Sequence, residues 1–280
     1  MPELPEVETV RRTLAPHLVG RRVTEVVVRN QALRVRVDRR ALAARVAGHR
    51  IGALRRRAKY LLAEVEGGAV LVLHLGMSGR LTVVPRALPL HKHDHLVFRL
   101  EPRAGRPLEE LRFRDPRRFG LAVVLDTGEV AGSALFRHLG PEPLDPAALD
   151  AERLRARARG RRAPIKSLLL DARLLVGVGN IYACESLHRA GIDPRTPADR
   201  LGPRRWERVL GAVREVLAGS IAEGGTSLND YRDGEGRPGL YQVTLAVYGR
   251  EGEPCRGCGR RIRRIVQSGR STFFCGGCQK

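Results

Sequence analysis

The sequence predicts an α+β protein of two domains, in which a β-sandwich with flanking helices precedes a helical domain that ends in a β-hairpin zinc finger. Three observations lead to this prediction. Short β-branched segments recur up to residue 125, helical patterns dominate after residue 146, and four of the five cysteines lie between residues 255 and 278. A proline-rich connector over residues 140–146 separates the two halves. A chain of 280 residues with 42% hydrophobic residues is large enough to bury a core in each half.

The N-terminal half, residues 1–140, is predicted to form one domain. Apolar residues three or four positions apart predict a helix over residues 2–18. Strands are predicted over residues 23–28, 60–65, 70–75, 95–100, 111–113 and 121–125. Gly67 and Gly68 suit a hairpin turn between two of these strands. Short strands at this spacing favour a sandwich or a barrel, and the β-sandwich is our prediction.

The C-terminal half is predicted to contain a helical domain over residues 141–245 and a separate small module over residues 246–280. Helices are predicted over residues 146–157, 165–171, 179–190 and 204–223. Gly177 and Gly179 form a turn between two of these helices, and Asn180 suits the N-cap of the helix that follows. Exposed amides at that N-terminus would bind one phosphate, which Lys166 could also reach. An ordinary helix connection is the alternative interpretation of this turn.

The charge balance favours a polyanionic partner. The chain has 51 Lys and Arg residues against 30 Asp and Glu residues, which gives a net charge of +21. Such an excess is typical of proteins that bind phosphates, so nucleic acid is the expected partner. A membrane surface is the competing polyanion, but no apolar run approaches the ~20 residues of a spanning helix and no basic amphipathic anchor is evident. The first residues do not resemble a signal peptide, which predicts a cytoplasmic protein with reduced cysteines.

Four cysteines have the spacing of a tetrahedral zinc site. Cys255 and Cys258 are separated by two residues, as are Cys275 and Cys278, and 16 residues lie between the two pairs. Four thiolates close the coordination sphere, so we expect one structural zinc ion without a catalytic role. Four unrelated thiols are the alternative. Zinc would hold a β-hairpin that is too short to be stable alone, with Arg270 at its turn as the residue that probes DNA.

The first residues of the chain could supply a nucleophile. Removal of Met1, which a small second residue allows, would leave Pro2 with the α-amine of the mature chain. The pKa of an α-amine is about 7.7–8.0, so an uncharged fraction exists near neutral pH and can attack electrophilic carbon to form an iminium. Glu3 and Glu6 lie beside it in the sequence and could move protons. The alternative is an ordinary helix N-terminus, with proline and acids in the first turn.

Six motifs occur in order along the chain, ahead of the four cysteines. They occupy residues 2–9 (PELPEVET), 57–62 (RAKYLL), 74–79 (HLGMSG), 115–120 (DPRRFG), 177–182 (GVGNIY) and 247–250 (VYGR). Together they resemble the formamidopyrimidine-DNA glycosylase family of base-excision repair enzymes over the whole chain. The first motif resembles that of the formamidopyrimidine branch of the family, because the endonuclease VIII branch usually has glycine where this chain has Leu4. The resemblance implies a helix-two-turn-helix domain, double-stranded DNA with oxidised bases or abasic sites as the partner, and a monomer at the nucleoid of a prokaryote.

The resemblance also implies the chemistry. A damaged purine is flipped out of the duplex, and the Pro2 amine attacks C1′ of the deoxyribose and expels the base. Glu3 would protonate the sugar ring oxygen, Lys59 would contact a phosphate and assist β-elimination, and Arg270 would hold the lesion phosphates and donate a proton in δ-elimination. The implied enzyme is a DNA glycosylase and abasic-site lyase that removes oxidised purines, chiefly 8-oxoguanine opposite cytosine and formamidopyrimidines.

The same resemblance assigns further residues to DNA contact. Met77, Arg117 and Phe119 match the set that fills the void left by the flipped base, and Arg117 would pair with the orphaned partner base. Met77 and Phe119 could instead be core residues, which is the more frequent place for such side chains. The remaining expected DNA contacts are His74, His93, Arg161, Lys166 and Asn180.

Residues 224–241 resemble a mobile loop that covers the lesion, but Asn229 and Tyr241 differ from the residues of some relatives. The details of base recognition are therefore not assigned. Two alternatives remain open: an enzyme of the same fold that prefers oxidised pyrimidines, and a non-catalytic zinc-ribbon protein that binds DNA. Pro2 beside Glu3 argues against the second, because a binding module has no use for a free N-terminal proline.

Overall fold

The computed structural model describes residues 2–226 and 232–280. The chain divides into two compact units, one formed by residues 1–137 and 223–240 and the other by residues 138–222 and 241–280. Met1 and residues 227–231 lie outside the described residues. The expectations about Met1 removal and about Asn229 therefore concern residues outside the described ranges.

The first unit contains two four-stranded antiparallel sheets with helices beside them. Its helices are α1 (Leu4–Leu18) and α2 (Arg39–Arg45). Its strands are β1 (Val23–Val28), β2 (Ile51–Arg57), β3 (Tyr60–Val65), β4 (Ala69–His74), β5 (Arg80–Pro85), β6 (Asp94–Leu100), β7 (Glu109–Arg114) and β8 (Leu121–Asp126). The strand order is β1-β6-β7-β5 in one sheet and β2-β3-β4-β8 in the other. The predicted α+β class is confirmed, and β2, β5 and α2 are additional to the predicted elements.

The core of this unit draws side chains from α1 and from both sheets. In α1, the buried apolar residues Val7, Val10, Leu14 and Leu18 follow the helical period. Strand β3 alternates between buried and half-buried positions, whereas all six residues of the central strand β4 are buried. A slip of one residue would turn the buried side chains of β3 outward, so this packing fixes the register of the strands that carry the predicted site residues.

The second unit is helical and ends in a hairpin. Its helices are α3 (Ala151–Arg157), α4 (Ile165–Leu169), α5 (Asn180–Ala190) and α6 (Pro203–Ala222), and its hairpin strands are β9 (Arg263–Gln267) and β10 (Arg270–Phe274). Helix α6 packs against α3 and α5, and α5 contacts β10. Helix α3 begins later than predicted, because the Asp150 side chain caps it by accepting the backbone N–H of Arg153 at 2.7 Å. Among the described residues, no helix combines the length and the apolar character needed to cross a membrane.

Candidate active site and nucleic-acid interface

Pro2, Glu3 and Glu6 are buried at the N-terminus of α1. Glu3 and Glu6 form a capping box, in which the Glu3 backbone N–H donates to Glu6 Oε2 at 2.7 Å and the Glu3 carboxylate accepts the backbone N–H of Glu6. Glu6 Oε1 accepts a second bond, from the backbone N–H of Thr226 at 2.9 Å. The start of the helix therefore fixes Pro2 next to a buried carboxyl group. The predicted attack by a Pro2 amine, with proton transfer by Glu3, would need these two residues to lie side by side in this way.

Lys59 lies in the tight turn between β2 and β3. Arg57 pairs with Tyr60 across the hairpin, so Ala58 and Lys59 form the two-residue turn. Lys59 is half-buried, and Ala58 is buried with a φ of +54°. The turn belongs to the same compact unit as Pro2 and Glu3.

His74 ends β4 and is buried beside the hairpin that carries Lys59. It pairs with Tyr60 across the strands, with 4.8 Å between the ring centres, and its Nδ1 accepts the backbone N–H of Gly76 at 2.9 Å. Burial, with the nearby charges of Arg34 and Lys59, lowers the pKa of His74 to about 3. The imidazole is therefore neutral near pH 7 and holds the following turn. The expected phosphate contact by His74 stays a prediction.

The buried His74 should make stability depend on pH. Its pKa lies below the usual value near 6.5, so between about pH 3 and 6.5 the unfolded chain binds a proton that the folded chain does not. The free energy of unfolding should fall by about 1.4 kcal/mol per pH unit as the pH is lowered through that window, and should not change through this group above it. Urea unfolding at pH 5 to 7 measures this slope. His74→Gln should remove it, whereas an exposed control, His138→Gln, should retain it; equal slopes in all three proteins would contradict the assignment.

Met77 and Phe119 are exposed on two turns of the first unit, with 41% and 45% of their surfaces accessible. Neither belongs to the hydrophobic core, so the core interpretation of these two residues is wrong. The guanidinium carbon of Arg117 lies 4.8 Å from the centre of the Phe119 ring, which is a cation–π distance. Large apolar side chains held in solvent next to a cation are suited to contact stacked bases.

A buried carboxylate holds the two turns together. Asp115 accepts the hydroxyl of Ser78 and the backbone N–H of Gly120, each at 2.7 Å. The Ser78 hydroxyl in turn accepts the backbone N–H of Arg117 at 3.2 Å. A Cβ at Gly76 would lie 2.4 Å from the Phe119 carbonyl carbon, so the close approach of the two turns requires glycine at that position. We call this arrangement the Asp115 brace.

His93 and Arg161 occupy less distinctive positions. His93 is half-buried before β6, and its ring centre lies 6.1 Å from that of His95. Arg161, in the second unit, forms an ion pair with Asp171 at 2.6 Å. Both predicted DNA contacts stay predictions.

In the second unit, Lys166 and Asn180 join the start of α5 to β10, the strand that begins at Arg270. The Lys166 Nζ is buried and donates to Asn180 Oδ1 at 2.6 Å, to Thr272 Oγ1 at 2.7 Å and to the Ser271 carbonyl at 3.2 Å. Asn180 Nδ2 donates to the same Ser271 carbonyl at 2.9 Å. This geometry holds the hairpin of Arg270, and direct contact of Lys166 with a phosphate stays a prediction.

The glycine turn before α5 differs from its prediction in one respect. Gly177 has a φ of +83°, which confirms the need for glycine there. The N-cap of α5 is Gly179, not Asn180, and the helix begins at Asn180. The Asn180 side chain is directed to Lys166 and Ser271, so it does not cap the helix.

Arg270 is exposed at the start of β10, next to a turn formed by Ser268 and Gly269. Both turn residues have positive φ values, 49° and 72°, as the tightest two-residue hairpin turns require. The turn therefore presents the guanidinium at the tip of the hairpin.

The four cysteines converge at the base of that hairpin. Their sulfur atoms all lie within 4.8 Å of one another, with 3.8 Å between Cys255 and Cys278 and 3.4 Å between Cys258 and Cys275. Tetrahedral zinc with Zn–S bonds of about 2.3 Å places its sulfurs about 3.8 Å apart, so the donor set fits zinc. Four thiolates leave no open position for a substrate.

The comparisons with known proteins cover the chain from end to end. Three family models match in succession: the formamidopyrimidine-DNA glycosylase N-terminal domain over residues 1–122, the helix-two-turn-helix domain of that glycosylase over residues 139–232, and the zinc finger found in FPG and IleRS over residues 252–280. The formamidopyrimidine-DNA glycosylase of Acidithiobacillus ferrooxidans is 50% identical over 280 residues, which is 100% of both chains. The chain belongs to the formamidopyrimidine-DNA glycosylase family.

Solved structures agree with this membership. A Lactococcus lactis FPG variant, in complex with DNA that contains Fapy-dG, has a TM-score of 0.91 at 33% identity and covers 100% of both chains. The FPG protein of Thermus thermophilus has a TM-score of 0.84 at 42% identity, over 99% of this chain and 98% of that one.

Membership in the formamidopyrimidine-DNA glycosylase family makes the chain an enzyme, a DNA glycosylase, and excludes the non-catalytic zinc-ribbon alternative. The zinc finger match and the convergent sulfur atoms confirm one structural zinc site.

Sequence reasoning missed the polar residues that support the site. Asp115 and Ser78 lie inside two of the motifs, so the motifs indicated that both residues matter. The hydrogen bond between them could not be predicted, because no sequence pattern connects residues that far apart. The buried Glu185 accepts the backbone N–H groups of Ala246, Val247 and Tyr248 at 2.8–2.9 Å, and no local pattern indicated it.

Proposed function

We propose that this glycosylase is a bifunctional base-excision repair enzyme that removes oxidised purines and then cleaves the DNA strand. Its substrates are chiefly 8-oxoguanine opposite cytosine and formamidopyrimidines in double-stranded DNA. The observation that carries the proposal is the buried Pro2 beside Glu3 at the start of α1, in a member of a DNA glycosylase family. The complex of the Lactococcus relative with Fapy-dG DNA supports the lesion class. We further infer that the enzyme acts as a monomer at the nucleoid of a prokaryote.

Base removal begins at the Pro2 amine. Once the lesion is flipped out, the uncharged nitrogen attacks C1′, and the bond from C1′ to the base breaks with its electron pair leaving on the base. The nitrogen then gives up its proton. Glu3 protonates the sugar ring oxygen, so the ring opens and the nitrogen electron pair forms the double bond of a C1′–N iminium. The capping box supports this role, because it holds the Glu3 carboxyl group in place directly after Pro2.

Strand cleavage follows from the iminium. Its positive nitrogen acidifies the hydrogen on C2′, whose removal expels the 3′ phosphate, and a second elimination expels the 5′ phosphate. Lys59 contacts a phosphate and assists the first proton transfer, and Arg270 donates a proton in the second. The product is a gap of one nucleotide with phosphate at both ends.

Met77, Arg117 and Phe119 fill the void that flipping leaves in the duplex. Loss of stacking costs a few kcal/mol, which inserted side chains recover in part. The exposure of Met77 and Phe119 and the Asp115 brace support this role, because the side chains are displayed on turns that are already fixed. His74, His93, Arg161, Lys166 and Asn180 remain our proposed contributors to DNA binding.

Excision assays on paired oligonucleotides test the proposed function. One duplex carries 8-oxoguanine opposite cytosine, a second carries thymine glycol, and a third is undamaged. We expect excision and strand cleavage at 8-oxoguanine at least tenfold faster than at thymine glycol, and phosphate on both new ends. Faster cleavage at thymine glycol would overturn the lesion class, and excision without cleavage would overturn the lyase activity.

A further inference from the structure

Lys59 follows a residue in an unfavourable backbone conformation. Ala58 has a φ of +54°, and the corresponding position of a two-residue hairpin turn is usually glycine, because a Cβ clashes with the backbone in this region. Ala58 is 4% exposed, so the turn is packed and not free in solvent. Such a conformation persists only where its surroundings hold it in place.

Arg56 provides that hold. Its Nη1 donates to the Ala58 carbonyl oxygen at 3.0 Å. This carbonyl belongs to the peptide bond that leads into Lys59, so the hydrogen bond orients the backbone from which the lysine side chain extends. The Nε of the same guanidinium lies 3.3 Å from Glu8 Oε2.

Glu8 connects this contact to α1. It lies on α1, the helix that begins two residues after Pro2, and the Glu8 and Arg56 side chains are only 12% and 11% exposed. Arg11 donates to both oxygens of this carboxylate, to Oε1 at 2.8 Å and to Oε2 at 3.0 Å, and Arg12 donates to Oε1 at 2.9 Å. Burial acts to raise the pKa of Glu8, but these arginines and Arg56 hold it below its usual value, so the group is ionised near neutral pH.

We propose that Glu8 and Arg56 are positioning residues that set the place of Lys59 relative to the helix that carries Pro2. The contacts run from α1 through Glu8 and Arg56 to the Ala58 carbonyl and the lysine. The inference rests on the proposed role of Lys59 in β-elimination. Proton transfer demands close placement of the reacting groups, and a shift of about 1 Å can reduce a rate about a hundredfold.

The first test follows the geometry without using activity. Lysine occurs only four times in the sequence, at residues 59, 92, 166 and 280, so selective labelling with ¹⁵N-lysine gives four amide signals, and Lys59→Arg assigns one. Arg56→Ala should shift or broaden the Lys59 signal and leave that of Lys92 unchanged. The matched control is Arg55→Ala, which removes the preceding arginine of β2, 71% exposed and paired with Glu64 at 2.8 Å. A Lys59 signal unmoved by Arg56→Ala, or moved as far by Arg55→Ala, would overturn the proposal.

The second test is a double-mutant cycle on the lyase step. On DNA with a preformed abasic site, Arg56→Ala should slow β-elimination about tenfold, and Glu8→Gln should act in the same direction. When Arg56→Ala is added to Lys59→Ala, the β-elimination rate should fall by less than a further twofold, because the arginine acts through the lysine. Independent, additive losses would overturn the inference. A wild-type protein that cannot cleave abasic DNA would instead overturn the proposed function, and the lysine spectra would still decide the positioning.

A rescue variant separates positioning from general loss of folding. Glycine adopts positive φ without the clash of alanine. Ala58→Gly in the Arg56→Ala background should therefore raise the elimination rate at least threefold above that of Arg56→Ala alone. If Arg56 only stabilised the fold, Ala58→Gly would bring no such recovery. A double variant that melts at the same temperature as Arg56→Ala and recovers no rate would overturn the proposal.

Discussion

Replacing Pro2 with glycine is expected to reduce borohydride trapping of the protein on lesion DNA by about a hundredfold. Glycine keeps a small second residue, so Met1 removal should proceed and the variant should still carry an α-amine. That amine is no longer tied into a ring, and the conformation at the start of α1 is no longer restricted by proline. Misplacement of a reacting group by about 1 Å is enough for a loss of this size.

The comparison needs two controls. Mass analysis of the N-terminus establishes that both proteins start at residue 2. Lys92→Ala removes an exposed amine outside the proposed site and should trap as well as the wild type. Equal trapping by Pro2→Gly and the wild type would make Lys59 the candidate nucleophile. Full excision and cleavage by a protein that retains Met1 would also contradict the proline mechanism.

Replacing Cys258 with alanine is expected to release zinc and to weaken binding to lesion DNA by at least a hundredfold. The hairpin has two strands of five residues, which are not stable alone without the metal. Arg270 lies at its tip, so loss of the hairpin removes the proposed phosphate contact together with the charges around it. Cys258 is the exposed ligand, so its truncation disturbs the surrounding packing less than truncation of Cys255 or Cys275.

The chain contains its own control for this experiment. Cys184 is buried against the same small core but is not one of the four convergent cysteines. Cys184→Ala should keep one zinc ion per chain and bind DNA within a few-fold of the wild type. Metal content by atomic absorption and binding by fluorescence anisotropy give the two readouts. Zinc retention by Cys258→Ala, or undiminished binding after zinc loss, would refute the proposed role of the finger.

Strands with a clear apolar pattern could be predicted from the sequence, whereas a strand rich in arginine could not. Strands β1 (Val23–Val28) and β3 (Tyr60–Val65) have the predicted bounds. Strand β2 (Ile51–Arg57) was not predicted, because it ends in three consecutive arginines without apolar alternation. Two of those arginines pair with Glu8 and Glu64, and such partners in space leave no periodic signal in the strand itself.

The motifs indicated which side chains belong to the candidate site, but not how those side chains are held. Lys166 was predicted to be able to reach a phosphate, which stays a prediction; the hydrogen bonds that its buried ammonium donates to Asn180 and Thr272 were not predicted. Lys166 and Thr272 are 106 positions apart, so no spacing rule connects them. The same contacts explain why Asn180 does not cap α5. The zinc site was predictable because its ligands are close in sequence and their spacing alone defines it.

The Asp115 brace has a consequence for how the enzyme searches intact DNA. The turns of Met77 and Phe119 are joined through a buried carboxylate and a close backbone approach at Gly76. In the proposed role of Met77 and Phe119, contact with a duplex would require little further ordering of the two turns, which would lower the entropic penalty of insertion. Damaged pairs, which open more readily, would be sampled preferentially by a rigid probe of this kind.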